Sequence, residues 1–300
     1  MSLAPALNLS AEFPSPLLKV KRLQPTFGAE ISGVDLSQPL SQELRDEIRA
    51  LLVQHKVIFF RDQHISHEQQ LAFSSLFGPP VIHPLQLQRE KKRGDNLPTG
   101  LHQILPPTAE YEHVPKRRTW HSDGSWTYPI AFATILRAVH VPEVGGDTIF
   151  ADAGAIYRGL PDDLKAKIEH LYITHEYKEL ARAGISHPIV AHPAVINHPE
   201  TGEDLLYVGF IMHPWVVGWD RADSEALLSE LFEEVLRPEY HVRFHWEPGS
   251  IAIWDNRSTL HTAIHDYGDF PRRMERVVTG SNDVPQRDPS RRFKAAGPAA

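Results

Sequence analysis

The sequence predicts a mainly β protein, a β-sandwich or jelly roll with flanking helices. Three observations predict it. The strongest helical periods gather early in the chain. From residue 120 onward, short strand-like runs separated by Pro and Gly turns dominate. Neither a regular βαβ alternation nor a Gly-rich phosphate loop is present, which argues against Rossmann and P-loop folds.

The elements follow in order. Residues 1–16 are rich in Pro, Ala and Ser and read as a loose N-terminus. Gly33 to Pro39 reads as a turn. Ser41 caps a helix with Leu44, Ile48, Leu51 and Leu52 on one face and Glu43 in its first turn. Lys56 to Phe60 (KVIFF) is a buried strand. Ser66 and Gln69 form a capping box for a second helix, with Leu71, Phe73, Leu76 and Phe77 inward and Gly78 as its stop. Residues 79–118 show no steady period and read as a long, partly irregular segment of the kind that often forms a lid.

Further on, Ala131 to Val139 and Thr148 to Phe150 read as strands around a Val144-Gly145-Gly146-Asp147 turn. Pro161 to Leu171 is a helix with Pro at its start, and Leu205 to Phe210 is a strand. Asp223 or Ser224 caps a helix with Leu227, Leu228, Leu231 and Val235 on one face, ended by Pro238. Val242 to Trp246 and Ile251 to Trp254 read as a hairpin about Pro248-Gly249. A last strand covers about Arg276 to Gly280, and residues 285–300 read as a frayed tail. The main body, 17–284, is expected to be one domain.

Composition narrows the function. The chain has 300 residues, of which 41% are hydrophobic, enough for a substantial core. It contains no cysteine, which excludes disulfides, Cys-ligated metals and thiol catalysis. Net charge is -7 without a dense basic stripe, so no nucleic-acid partner is expected. Lys91 to Arg93 and Lys116 to Arg118 read as solvated loop charges. No apolar run reaches the roughly 18 residues of a membrane span, and no signal segment opens the chain. A soluble, cytoplasmic protein is expected.

Eighteen histidines raise the question of which ones bind anything. His121-Ser122-Asp123 sets an imidazole and a carboxylate two residues apart. In a strand, or a turn just after one, such residues face the same way and can meet one ion. Two histidines and one carboxylate on one face of an octahedron leave three positions open, the arrangement of non-haem Fe(II) oxygenases. His-x-Asp alone is a weak signal. It gains from the distal half, where Trp254-Asp255-Asn256-Arg257-Ser258-Thr259-Leu260-His261 puts a histidine after a strand. Arg272 and Arg276 follow it, and an arginine fork suits the far end of a dicarboxylate bound to the iron.

These pieces together resemble the taurine dioxygenase/TfdA (TauD/TfdA) family. The resemblance is carried by Trp120-His121-Ser122-Asp123, Gly145-Gly146-Asp147-Thr148, Trp254-Asp255-Asn256-Arg257 with His261, and the Arg272/Arg276 pair. Earlier stretches match too, Gly28 to Leu36 and Val57 to Gln63, so the likeness spans nearly all of residues 18–284. It implies a double-stranded β-helix (jelly roll, cupin-like) core and an Fe(II)- and 2-oxoglutarate-dependent dioxygenase. It implies that His121, Asp123 and His261 bind Fe(II), with His261 preferred over His265. Thr148 and Arg272 would hold the distal carboxylate of 2-oxoglutarate. Arg276 would meet the substrate's anionic head or assist the cosubstrate, and His83 would touch the substrate anion. A homodimer or homotetramer is also implied.

The pattern departs from taurine dioxygenase at Gln86, where that enzyme has tyrosine, and at Arg117, where it has asparagine. The stretch between the helix near 165 and the strand near 205 is shorter. These departures argue against taurine itself. A small anionic organic substrate is expected: a sulfate ester, a sulfonate or a carboxylate, with C–O or C–S cleavage following hydroxylation. Two other classes remain open, a non-oxidative metal-dependent hydrolase or isomerase and an anion-binding protein on the same fold. His187, His192, His198, His241 and His245 are expected to be structural. Trp120 is expected to back the metal, and Trp126 and Tyr128 are candidates for the pocket wall.

Overall fold

A computed structural model describes residues 15–94, 97–106 and 119–287. The expected loose N-terminus falls almost wholly outside these residues, as do most of the C-terminal tail, Arg117 and the Lys116 to Arg118 run.

Strands β1 (Lys19–Arg22) and β2 (Ala29–Ser32) pair antiparallel and lead to helix α1 (Gln42–His55). The Ser41 hydroxyl accepts from the Leu44 N–H as a cap, and Ile48, Leu51 and Leu52 are buried. Strand β3 (Val57–Phe60) follows, then α2 (His67–Ser74), whose Ser66/Gln69 capping box is complete. Gly78 has φ 134°, and a Cβ there would sit 2.3 Å from the Gly280 carbonyl, so only glycine allows this close approach.

The segment expected to be irregular contains two elements, α3 (Pro84–Arg93) and β4 (Leu101–Ile104). The helix escapes a periodicity search because it is polar on most faces. Its signals are local: His83 as cap, Pro84 in the first turn, and Gly94 left-handed at the end. Lys91 and Lys92 are exposed, on this helix rather than a loop.

Next come β5 (Ala131–His140), β6 (Thr148–Asp152), α4 (Ala153–Gly159), α5 (Asp162–Ile168), β7 (Tyr172–His175) and α6 (Lys178–Arg182). Then come β8 (Val190–Pro193), β9 (Val195–Asn197), β10 (Asp204–Leu206) and α7 (Arg221–Val235). Helix α5 is shorter than expected. β10 stops at Leu206, and Phe210 instead begins a short 3-10 turn. Helix α7 starts earlier than expected. Asp220 is its cap, accepting from the Asp223 N–H, while Ser224 faces inward and accepts from the Val216 N–H at 3.0 Å.

The chain ends with β11 (His241–Phe244), β12 (Ile251–Asp255), β13 (Thr259–Ala263) and β14 (Arg273–Gly280). The expected hairpin of β11 with β12 does not form. β11 pairs with β6, whereas β12 pairs with β3 and β5, so the Pro248-Gly249 turn carries the chain between sheets. β12 is buried on both faces, Ile251 and Ile253 on one and Ala252 and Trp254 on the other, and so belongs inside a large sheet.

The architecture is layered. A seven-stranded sheet in the order β1-β2-β3-β12-β5-β14-β4 faces a three-stranded sheet in the order β11-β6-β13. Between them Phe59 stacks on Phe244 with ring centroids 4.0 Å apart, and Phe150 meets Trp254 at 5.3 Å. Helices α1 and α2 cover the outer face of the large sheet. Helices α4, α5 and α7 cover the small one. This is the expected β core with flanking helices, a jelly roll. No described helix is long and apolar enough to cross a membrane.

Candidate metal centre

Two distant segments are joined by backbone bonds at the two histidines expected to bind metal. The His121 N–H donates to the His261 carbonyl at 3.1 Å, and the His261 N–H returns a bond to the His121 carbonyl at 2.8 Å. The imidazoles therefore lie side by side, ring centroids 4.2 Å apart. His261 follows β12, as expected, and lies within the next strand, β13. Asp123 sits two residues beyond His121, and one donor atom from each of the three residues lies within 4.8 Å of the others. His121 Nε2 is 3.7 Å from Asp123 Oδ1, and His261 Nε2 is 3.9 Å from Asp123 Oδ2.

The donors are in the protonation state a cation needs. His121 Nδ1 donates to the Thr119 carbonyl at 2.8 Å, which leaves the Nε2 lone pair for the cluster. Burial, with the neighbouring His121, holds the His261 pKa down to about 3. Burial lowers that of His121 as well. For Asp123 burial alone would raise the pKa, but Arg276 and the two imidazoles overcome it and hold the carboxyl well below the usual range. Two neutral imidazoles and one carboxylate, all facing one point, fit a divalent ion. The buried His261 Nδ1 has no hydrogen-bond partner among the described residues, so its ring is set by packing on Trp254 and Phe150.

Arg276 lies on β14 and donates from Nη1 to Asp123 Oδ1 at 3.0 Å; its Nε has no partner among the described residues. His121, Asp123 and Arg276 line one cavity, with His83, Trp126, Tyr177 and Met212 on its walls. His83 is neutral here. Burial, then the nearby Arg276, takes its pKa down to about 3. A larger surface hollow beside α7 contains none of the predicted site residues.

Thr148, the first residue of β6, and Arg272, just before β14 and beside Gly146, do not line that cavity. Thr148 pairs with Ala263 as Phe150 pairs with His261, so Thr148 and His261 point to the same side of the small sheet. The Thr148 hydroxyl accepts from the Trp246 indole Nε1 at 3.0 Å. Arg272 is buried, and its Nε is without a partner among the described residues. It packs against Gly146, where φ is +71° and a Cβ would come within 3.3 Å of the Arg272 Nε.

The remaining histidines take the expected places. His265 is exposed and outside the cluster, bonded to the Tyr267 hydroxyl at 3.3 Å. His241 stacks on Trp120, His245 meets Asp147, His192 meets the Ser125 carbonyl, and His198 meets Asp255. Trp126 lines the cavity, whereas Tyr128 is exposed and stacks on His192. Sequence reasoning missed Trp246, Tyr177, Thr134 and Asn256. Asn256 lay within the motif that carried the resemblance. Thr134 was the one hydroxyl in a mostly apolar strand.

A family model described as "Taurine catabolism dioxygenase TauD, TfdA family" matches residues 19–278. The chain is 35% identical over 283 residues to an alkylsulfatase of Acinetobacter baylyi, covering 88% of this chain and 86% of that one. It is 35% identical over 280 residues to an alpha-ketoglutarate-dependent sulfate ester dioxygenase of Pseudomonas putida, covering 86% and 88%. A crystal structure of a taurine dioxygenase from Burkholderia xenovorans superposes with a TM-score of 0.78 at 36% identity, covering 92% and 95%.

Proposed function

The chain belongs to the TauD/TfdA family of 2-oxoglutarate-dependent dioxygenases, and from that premise we propose that it uses Fe(II) to hydroxylate a small organic anion with an apolar body. The substrate class is a sulfate ester, sulfonate or carboxylate. The observation that carries the reading is the convergence of His121, Asp123 and His261 on one buried point, with Arg276 beside it.

In this reading the three side chains hold Fe(II) through two imidazole nitrogens and a carboxylate oxygen. With 2-oxoglutarate and O₂, the bound iron supplies the oxidant for an unactivated C–H bond, yielding succinate and CO₂. The protein binds, orients and excludes water. Thr148 and Arg272 take the distal carboxylate of 2-oxoglutarate. The Trp246 indole can only donate, so the Thr148 hydroxyl accepts from it and keeps its own proton for that carboxylate. Arg276 spends one nitrogen on Asp123 and has further donors for a substrate anion.

His83, being neutral, contributes a hydrogen bond and no second charge. Trp126, Tyr177, Ile211 and Met212 offer an apolar wall for the substrate body and keep water from the reacting carbon. Among the described residues, Asp123 is the one carboxylate lining the cavity and no other is there to receive an amino group, consistent with an anion other than taurine. Hydroxylation of a carbon bearing a sulfate oxygen gives an unstable adduct, which collapses to an aldehyde and releases hydrogen sulfate.

The test is a succinate-release screen across alkyl sulfates, alkyl sulfonates and aryloxyalkanoates, with anaerobic Fe(II) and 2-oxoglutarate binding as a control. Absence of a visible charge-transfer band on anaerobic mixing, or product formation under nitrogen without succinate, would overturn the oxidative reading.

A further inference from the structure

The carboxylate of Asp123 is held by hydrogen bonds whose direction is fixed at every link. The Asp123 backbone N–H can only donate, and it donates to Asn256 Oδ1 at 3.0 Å. That assigns the oxygen of the Asn256 amide and turns its Nδ2 toward Thr134, where it donates to Oγ1 at 2.9 Å. The Thr134 hydroxyl has then accepted one bond and has a single proton to give. Asp123 Oδ2 lies 2.9 Å away and, as a carboxylate oxygen, can only accept. The chain of bonds closes on the residue where it began.

Both intermediaries are rigidly placed. Thr134 and Asn256 are wholly buried. Thr134 lies within β5, paired with Trp254 of β12 on one side and Val278 of β14 on the other. The Asn256 N–H donates to the Phe132 carbonyl at 2.7 Å. The preceding Asp255 is fixed in a buried ion pair with Arg257 and a hydrogen bond with His198. Asn256 also opens the turn into β13, the strand that carries His261. One side chain thus ties the His121–Asp123 segment to the strand supplying the third ligand.

We propose that Thr134 and Asn256 are positioning residues for the metal centre: Asn256 sets the direction of the Thr134 proton, and Thr134 pins one carboxylate oxygen of Asp123, so that the carboxylate meets the ion through a single oxygen. The inference rests on the assignment of His121, Asp123 and His261 as metal ligands. A carboxylate with both oxygens free can turn to grip a cation with two, taking a position that the cosubstrates require. A charge-assisted hydroxyl bond to Oδ2 opposes that turn. Loss of such supporting bonds typically costs about 10- to 100-fold in metal affinity.

The test is an anaerobic titration of the full chain with Co(II), followed by visible absorption, on wild type, Thr134→Val, Thr134→Ser and His261→Ala. Thr134→Val keeps the shape and removes the hydroxyl. It is expected to weaken Co(II) binding about 10- to 100-fold and to change the Co(II) absorption band, while the melting curve of the metal-free protein stays close to wild type. Thr134→Ser restores the proton and should restore affinity and band. If Val is not accommodated in the strand, Thr134→Ala serves the same purpose without overpacking. Val or Ala variants that bind Co(II) with wild-type affinity and spectrum overturn the proposal, as does a Ser variant no better than Val. Wild type that binds no Co(II), or His261→Ala that binds it unchanged, overturns the ligand assignment and this inference with it.

Discussion

Trp246 Nε1 donates to Thr148 Oγ1 at 3.0 Å from a fully buried position, so the hydroxyl proton of Thr148 is directed away from the indole. Trp246→Phe removes the donor while keeping most of the ring volume. The Thr148 proton can then rotate, and the site is less ready for an anion. The expected outcome is a KM for 2-oxoglutarate raised about tenfold, the worth of roughly one hydrogen bond, with kcat little altered. Equal KM values in steady-state kinetics would remove Thr148 from the cosubstrate site.

Among the described residues, Arg276 is the one guanidinium lining the cavity that holds His121 and Asp123. Arg276→Ala should lower kcat/KM for the organic anion by about 10- to 100-fold, the usual cost of a charged hydrogen bond, mainly through KM. Arg276→Lys should recover only part, because a point charge cannot hold Asp123 and an anion as a planar fork does. Unchanged kinetics in the alanine variant would place the anionic head elsewhere.

Metal binding should stabilise the folded chain, because the three donors converge only when it is folded. Mn(II) at a hundredfold excess over its Kd adds about 2.7 kcal/mol, seen as a rise of several degrees in the melting temperature. EDTA should reverse it, and His261→Ala should abolish it. A melting temperature indifferent to Mn(II) and EDTA in wild type would count against the centre.

Acid should weaken the fold through buried histidines outside the His121–Asp123–His261 cluster. Burial, with Arg22 nearby, takes the His55 pKa to about 4, and burial takes that of His192 to about 4. An unfolded histidine titrates near 6.5. Between these values the unfolded chain binds protons that the folded chain refuses. Stability is therefore fully present above about pH 6.5 and is lost as pH falls toward 4. Each of the two contributes on the order of 1–2 kcal/mol by pH 5. The urea midpoint of metal-free protein should fall between pH 7.5 and 5, and His192→Gln should flatten that fall. A midpoint independent of pH would mean these rings are not held neutral.

Much of the layout was legible because it is written in local patterns. The cap at Ser41, the capping box at Ser66 and the apolar runs of β3, β5 and β12 needed no tertiary context. What failed were questions of partnership. β11 and β12 both look like strands with a turn between, yet nothing short-range says that they join different sheets. Helix α3 was missed because it buries little and therefore has no apolar stripe. The grouping of His121, Asp123 and His261 was readable from spacing and motif order, but Thr134 and Trp246 matter through what they touch across the sheets. Asp220 hid its capping role behind Asp223 and Ser224, which are equally good caps on paper.

The paired backbones of His121 and His261 have a consequence for how such a protein can change. The two imidazoles are registered by a ladder rung, and Asp123 follows one of them directly. Apart from Arg276 and Trp126, the surfaces that would feel a substrate come from other places: His83 at the cap of α3, Tyr177 at the start of α6, and Ile211 and Met212 in the turn after β10. Those peripheral pieces can be lengthened, shortened or rewritten without shifting the rung. On the proposed function, much of the substrate-facing wall thus lies on parts of the chain separate from that rung, so new molecules can be accepted while the chemistry stays the same.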